Sequence, residues 1–219
     1  MTQKIPCFCD NSFAVEVPSE IDLDSSPGYI NEILDGSFLN FTCPGCGKKH
    51  KPEFPIKILW PSKKIWFDVC VETDRGEFYR QKKEAPKRGL LKKDPSDLTK
   101  ETIIGYPELA ERILVYRDSL EPMVIETIKY FLYLKAEENY TNEEIIVWYS
   151  GFAQGPAKSL EFHIHGIKEG EVAVMKVPFS LYEKNLEDFR KHPKAEIFAS
   201  LRVRSYLSVK NMMRPRGLK

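Results

Sequence analysis

The sequence lacks the signatures of several common enzyme classes. Its 219 residues contain no serine nucleophile elbow, no phosphate-binding loop, no dinucleotide fingerprint and no H-E-x-x-H pair. We therefore expect no activity of those kinds, and an enzyme remains only as an alternative of unrecognised type. The sequence also lacks internal repeats and low-complexity segments, which argues against solenoid and disordered scaffolds.

An excess of charge and a long apolar run are missing too. The 33 basic and 32 acidic residues give a formal net charge of +1, so nucleic-acid or membrane binding would need a local patch. No apolar run reaches the length of a transmembrane helix, and we expect no membrane partner. Residues 1–6 include neither an apolar segment nor a small-residue cleavage site, so we expect a reducing cytoplasmic location in which disulfides do not persist.

Cysteine is scarce, but four of the five cysteines form two close pairs. The second pair stands in the sequence Cys-Pro-Gly-Cys-Gly, where a tight turn aims two sulfurs at one point and backbone N–H groups can bond them. Thiolates select zinc over magnesium or calcium, and a single iron is the alternative in such a site. We therefore predict a structural Zn²⁺ site whose ligands are Cys7, Cys9, Cys43 and Cys46, without an open position for chemistry.

Three neighbouring features leave alternatives open. The first pair, Cys7-Phe8-Cys9, is one residue shorter than a standard knuckle, so its turn is expected to be strained. His50 follows the second pair in a basic stretch and could replace one of these two ligands, but we interpret it in preference as part of a solvated basic turn. Cys70 lies in an alternating strand pattern and is interpreted as a core residue.

The pattern of apolar residues predicts an α+β fold. We expect a zinc-ribbon-like N-terminal β unit, a central helical pair, and C-terminal antiparallel strands with a short helix. The chain is divided into a cysteine-knuckle unit at residues 1–79, a basic loop at 80–100 and an α+β body at 101–219. A helix is predicted to stop at Gly36, another to begin at Pro107, and a third, with an aromatic run in the core, to begin at Pro122. A capping box at Ser180 predicts the start of the last helix.

Two further clusters suggest alternative functions. Residues 160–165 alternate so that Glu161, His163 and His165 share one strand face, a geometry that metal enzymes use and that any half-exposed strand also shows. Residues 80–93 are dense in lysine and arginine, and together with Lys48, Lys49 and Lys51 they suggest a nucleic-acid contact or simply a solvated loop. An enzyme near the histidines and a nucleic-acid binder are therefore kept as alternatives.

Several segments together resemble the CpXC family of bacterial proteins. They are residues 34–40 leading into Cys43-Pro44-Gly45-Cys46, the two cysteine pairs, and residues 108–113 followed by 118–129; the similarity spans roughly residues 5–135. The resemblance implies that Cys43 and Cys46 bind zinc, and it implies no established activity. The chain departs from the family pattern at Cys7-Phe8-Cys9, where the proline spacer is missing. We expect a zinc-stabilised binding or adaptor module, with a protein partner favoured and nucleic acid as the alternative.

Overall fold

The computed structural model describes residues 1–81, 97–139 and 145–213. Residues 82–96, which form most of the predicted basic loop and of the candidate nucleic-acid segment, lie outside the described residues. The chain has the predicted α+β class, with strands at the N-terminus, helices in the middle and antiparallel strands near the C-terminus. In the part of the chain that the structure describes, no helix is long and apolar enough to cross a membrane.

Short strands and six α-helices make up the regular structure of the described residues. The strands are β1 (Thr2–Pro6), β2 (Ser12–Glu16), β3 (Glu20–Asp22), β4 (Phe41–Thr42), β5 (Lys49–His50), β6 (Ile56–Trp60), β7 (Ile65–Cys70), β8 (Thr99–Ile104), β9 (Ile146–Phe152), β10 (Ser159–His165), β11 (Ala173–Pro178), β12 (Arg202–Val203) and β13 (Tyr206–Leu207). The helices are α1 (Gly28–Asp35), α2 (Arg75–Gln81), α3 (Tyr106–Arg117), α4 (Pro122–Asn139), α5 (Phe179–Lys191) and α6 (Glu196–Ser200).

The chain forms two compact units, a first unit at Met1–Ala110 and a second unit at Glu111–Lys219. The boundary lies inside helix α3, because Ala110 and Glu111 both belong to that helix. The three-part division at residues 79 and 100 stays a prediction.

Two small hairpins and a group of longer strands build the first unit. Strands β1 and β2 pair antiparallel, as do β4 and β5. The other strands of this unit pair in the order β3-β6-β7-β8. The β3–β6 and β7–β8 pairs are parallel, and the β6–β7 pair is antiparallel. The sequence pattern predicts two strands around residues 56–60 and 64–71, and alternate residues of β6 and β7 are buried. A cluster of Ile5, Val15 and Val17 packs with Leu39, Phe41 and Phe54, so apolar contacts join the two hairpins.

The second unit packs helices on a three-stranded antiparallel sheet. The strand order is β11-β10-β9, and the residues of β10 alternate between buried and half-buried. Leu160, Phe162 and Ile164 face a core that contains residues of α4 and α5. The predicted antiparallel pairing of C-terminal strands is confirmed, because the register of β10 with β11 pairs Leu160 with Val177 and Ile164 with Ala173.

Three local expectations need correction. Ser180 does not cap α5, which begins at Phe179 after Pro178 and has no side-chain cap hydrogen bond. The sequence predicts a strand from Phe38 to Phe41, but residues 38–40 are not a strand, because Leu39 has a φ of 49° and the Asn40 N–H donates to the Ser37 carbonyl in a turn. Phe131, predicted to lie in the core, is 51% exposed. The stop of α1 at Gly36 is confirmed by its φ of 74°, which a glycine adopts without steric cost.

Candidate metal centre

The first cysteine pair lies in the turn between β1 and β2. The Cys7 N–H donates to the Asn11 carbonyl at 2.8 Å, which closes the turn around Phe8 and Cys9. Asp10 has a φ of 60°, a left-handed conformation that aspartate tolerates better than most residues. This single positive φ lets the chain reverse within a C-x-C spacing, so the shortened knuckle is accommodated by the backbone of the turn.

The second pair lies in the turn between β4 and β5. The Cys43 N–H donates to the Lys48 carbonyl and the Gly47 N–H donates to the Cys43 carbonyl, both at 2.9 Å. Gly47 has a φ of 72°, where a side chain would be strained. The loop is therefore closed at its base, and its two thiols point to the same side.

The structure brings the four predicted ligand sulfurs together. All four Sγ atoms lie within 4.8 Å of one another. Two contacts run between the knuckles, at 3.6 Å from Cys7 Sγ to Cys46 Sγ and at 3.7 Å from Cys9 Sγ to Cys43 Sγ. A tetrahedral zinc with Zn–S bonds of about 2.3 Å separates its sulfurs by about 3.8 Å. The spacing and the donor type of this cluster therefore fit a metal ion bound by four thiolates.

The thiols of the second knuckle differ in acidity. Burial opposes ionisation of Cys43, but the backbone N–H groups of Gly45 and Cys46 outweigh it and lower the pKa of Cys43 to about 6. The Lys48 N–H lowers the pKa of Cys46, yet the adjacent Cys9 and Cys7 sulfurs prevail and raise that pKa to about 12. A bound cation would remove this difference between Cys43 and Cys46, because a coordinating thiol is deprotonated.

His50 lies directly beside the sulfur cluster. Its Nε2 atom is 3.2 Å from Cys7 Sγ, and its ring packs edge-on against Phe13 with 5.7 Å between the ring centroids. The side chain is half-buried, so the interpretation as a freely solvated turn is wrong. Replacement of a cysteine ligand by His50 stays a prediction. Cys70 is half-buried on β7, outside the cluster, and burial raises its pKa.

The exposed end of the first knuckle carries an aromatic ring. Phe8 is 88% exposed, and the Lys48 ammonium lies 4.4 Å from its ring centroid. Lys49 and Lys51 are exposed on the adjoining strand and the residues after it. The knuckle end therefore presents one aromatic face and several cations to solvent.

Among the described residues, the histidines of β10 do not belong to a larger cluster of ligands. His163 Nε2 lies 3.1 Å from Glu161 Oε1, and both side chains are partly exposed on the open face of the strand. Within residues 1–81, 97–139 and 145–213, the structure brings together one group of three or more potential metal ligands, and that group is the four cysteines. An enzyme near His163 and His165 stays a prediction.

A cavity of about 390 Å³ opens in the first unit, next to the hairpin of the second knuckle. Its walls come from the segments on either side of that hairpin, from the end of α1 and from the start of α3. They are formed by Ile33, Leu34, Asp35, Gly36, Phe38, Asn40, Lys51, Pro52, Glu53, Tyr106, Pro107 and Ala110. Glu53 is fixed there, because it accepts hydrogen bonds from the Tyr106 and Glu72 backbone N–H groups.

Sequence reasoning missed the side chain that links the two knuckles. The Asn11 amide donates to Cys43 Sγ at 3.9 Å, although Asn11 looks like an ordinary turn residue in the sequence. A backbone position close to it is Gly45, where a Cβ would lie 2.8 Å from Asn11 Nδ2. The sequence signal was the glycine inside Cys-Pro-Gly-Cys, but its partner across the site depends on the folded hairpins.

Four convergent thiols on two hairpins of an α+β chain are the features of a metal-binding module. The chain belongs to the CpXC protein family, whose pattern it matches over residues 5–129. It is also similar to an uncharacterised protein of Treponema pallidum (strain Nichols), with 27% identity over 218 residues that cover 95% of this chain and 97% of the relative. No solved structure matches the chain.

Proposed function

We propose that this chain is a zinc-stabilised binding module, in which Cys7, Cys9, Cys43 and Cys46 hold one Zn²⁺ as thiolates. The observation that carries the proposal is the convergence of four sulfurs within 4.8 Å, with cross-knuckle distances close to those of a tetrahedral site. A reducing compartment such as the cytoplasm would keep these thiols available. Four thiolates leave no coordination position for substrate, so the metal's role is structural.

The metal would order a binding site because of where the second hairpin leads. Strands β4 and β5 end in the knuckle on one side and continue into the cavity walls on the other. Phe38 and Asn40 precede β4, and Lys51 and Glu53 follow β5. Fixing the knuckle therefore fixes both strands that carry these wall residues, since structural metal binding contributes directly to folding free energy.

The cavity favours a protein partner that inserts an apolar side chain. Its inner wall is apolar, with Ile33 and Phe38 buried, while Asp35 and Lys51 stand exposed at its margin. An apolar interior with a polar margin is the usual construction of a pocket that anchors one hydrophobic residue of a partner. The volume is at the lower end of the range for small-molecule sites, which suits a single side chain.

Metal analysis and hydrogen exchange test the proposal together. Elemental analysis of the reduced chain should give one zinc per chain, and a colourless protein excludes iron. Removing the metal with a chelator should speed amide exchange in β4 and β5 and in residues 36–40, while β10 keeps its protection. Cys70→Ser is the matched control because its thiol lies outside the cluster. Metal-free protein whose hairpin is equally protected would overturn the structural role.

Nucleic-acid binding is the second candidate, and the knuckle end favours it. The Phe8 ring is almost fully exposed beside Lys48, and stacking of a base on an aromatic ring with cations near the phosphates is how single strands are commonly bound. A labelled single-stranded oligonucleotide is the probe. Affinity that falls steeply with salt and is lost in Phe8→Ala would support this candidate, whereas Phe131→Ala, which removes an exposed ring of the second unit, should leave binding unchanged.

A further inference from the structure

Each exposed cysteine of the metal centre lies beside a buried cysteine of the other knuckle. Cys46 is exposed and lies 3.6 Å from Cys7, which is 9% exposed. Cys9 is exposed and lies 3.7 Å from Cys43, which is 1% exposed. The four thiols therefore form two pairs across the knuckles, and each pair joins one exposed cysteine with one buried cysteine.

The buried sulfur of each pair has a nitrogen donor of its own. His50 Nε2 lies 3.2 Å from Cys7 Sγ and donates to it when the ring proton is on Nε2. The Asn11 amide donates to Cys43 Sγ at 3.9 Å. Hydrogen bonds from N–H groups stabilise a thiolate, which is the nucleophilic form of cysteine. Both buried cysteines therefore lie beside an N–H group and within 3.7 Å of the exposed cysteine with which they would form a disulfide.

We propose that the metal centre is also a thiol oxidation switch, in which a peroxide joins Cys7 to Cys46 and Cys9 to Cys43 and thereby releases the zinc. This inference rests on the proposed zinc site. It assigns two roles within each pair, because the exposed cysteine reacts with the oxidant and the buried cysteine resolves the product.

The reaction balances with a peroxide as the oxidant. The Cys46 thiolate attacks one peroxide oxygen, the O–O bond breaks, and a sulfenic acid forms while the other oxygen leaves as an alcohol or water after taking a proton. The Cys7 thiolate then attacks the sulfenic sulfur, the S–O bond breaks, and hydroxide leaves and is protonated to water. Two sulfurs lose two electrons and one peroxide gains them. The Cys9 and Cys43 pair consumes a second peroxide in the same way, and Zn²⁺ departs without its thiolate ligands.

The contacts of 3.6 Å and 3.7 Å favour one of the three pairings that four cysteines allow. Disulfides within a knuckle would join residues that are already neighbours in the chain. Disulfides across the knuckles would tie β1 and β2 to β4 and β5, as the zinc does, and close loops of 39 and 34 residues. The oxidised chain would therefore keep the first unit folded after metal loss, because a cross-link between distant residues restricts the unfolded state.

The test treats the zinc-loaded, full-length chain with hydrogen peroxide. Zinc release is followed with a chromogenic chelator, and the disulfides are mapped by mass spectrometry of peptides digested without reduction. We expect both cross-knuckle disulfides, zinc released in step with them, and recovery of zinc binding after a dithiol reductant. Cys70→Ser should behave like the parent chain, and Cys46→Ser should still form the Cys9–Cys43 disulfide. The melting temperature of the oxidised chain should be higher than that of the reduced, metal-free chain.

Two results would overturn the switch, and a third concerns the zinc site alone. Disulfides within the knuckles would contradict the pairing, as would zinc retained by all four thiols at peroxide levels that oxidise free cysteine. If the reduced chain binds no zinc, the proposed function fails instead. In that case, the same peptide map of the metal-free chain still decides whether the cross-knuckle pairs form.

Discussion

Gly45 of the second knuckle lies against the Asn11 side chain of the first, so closely that a Cβ on Gly45 would be 2.8 Å from Asn11 Nδ2. The same Asn11 amide donates to Cys43 Sγ at 3.9 Å. The missing side chain at position 45 therefore lets one knuckle approach the other and lets Asn11 reach a candidate ligand. Contacts of this kind orient metal ligands and adjust their basicity.

Gly45→Ala should weaken zinc binding without preventing folding. The new methyl group must displace the Asn11 amide, which is a flexible side-chain end, and the contact with Cys43 is lost. We expect a roughly 10-fold loss of zinc affinity in competition with a chromogenic chelator, the lower end of the effects of such contacts. Gly28→Ala is the control, because a Cβ there meets nothing within 4 Å. The double variant tests whether Gly45→Ala acts by displacing Asn11. If the losses of zinc affinity in Asn11→Ala and Gly45→Ala were strictly additive, that explanation would be wrong.

Lys129→Met should strongly destabilise the second unit. Lys129 is buried and bonds Glu111 at 2.6 Å and Glu126 at 3.1 Å. Burial opposes its charge, but the two carboxylates prevail and raise the pKa of Lys129. Its loss leaves buried carboxylates without this counter-charge, which costs about 3–5 kcal/mol. Urea unfolding measures the change.

An exposed ion pair supplies the control for that variant. Lys191 and Glu187 pair on the surface of α5, with both side chains more than half exposed. Lys191→Met should change the free energy of unfolding by less than about 1 kcal/mol. Equal effects of the two variants would show that burial of the Lys129 cluster contributes nothing to stability.

Local patterns predicted much of the fold, and long-range contacts account for what they missed. The cysteine pairs, the glycine stop of α1 and the alternation in β6, β7 and β10 are short-range signals that burial and steric limits on φ dictate. Strand β8 was not predicted from the sequence, because its polar residues Glu101 and Thr102 suggest a solvent-exposed segment although both are buried in the fold. The ion pair of Glu111 with Lys129 was not predicted either, because charged helix residues are usually exposed and only the packing of α3 with α4 buries these two.

The metal centre was likewise predictable only where short-range signals determine it. Four candidate ligands follow from spacing, because a turn brings i and i+2 or i+3 sulfurs together. The position of His50 beside Cys7 depends instead on the register of β4 with β5, which pairs Phe41 with His50. Sequence periodicity does not predict contacts between the turns of two separate hairpins. The distances between the sulfurs of the two knuckles therefore become known only from the folded structure.

Cys43→Ser should cost more stability than Cys9→Ser. Cys43 is 1% exposed and accepts the Asn11 contact, whereas Cys9 is exposed at the shortened knuckle. Loss of a structural zinc ligand removes folding free energy of the first unit, so Cys43→Ser should lower both zinc content and the melting temperature. Zinc content that survives in Cys9→Ser and vanishes in Cys7→Ser would show that the short knuckle supplies one ligand and that His50 or water completes the shell. Unchanged melting of both Cys43→Ser and Cys46→Ser would contradict a structural metal.

Tyr106→Phe should lower stability near neutral pH, and the deficit should shrink in alkali. The Tyr106 hydroxyl donates to the Phe54 carbonyl and accepts from the Phe54 N–H, and burial raises the pKa of Tyr106 to about 12 from an ordinary 10.0. A raised pKa means that the folded state favours the neutral phenol. The contribution of Tyr106 to stability is therefore complete at pH values below its pKa in the unfolded chain. It is lost as the pH rises through its pKa in the folded chain.

Unfolding by urea at about pH 8 and about pH 11 compares the variant with the parent chain on both sides of the unfolded pKa. At the lower pH the variant should be less stable by about 1 kcal/mol, the usual net value of such hydrogen bonds. At the higher pH the unfolded parent chain gains stability by ionising Tyr106, an option that phenylalanine lacks, so the two should converge. Tyrosinate absorbance of the folded chain should accordingly contain a late step that Tyr106→Phe removes. An equal deficit at both pH values would contradict the raised pKa, and it would assign the effect to hydrogen bonding alone.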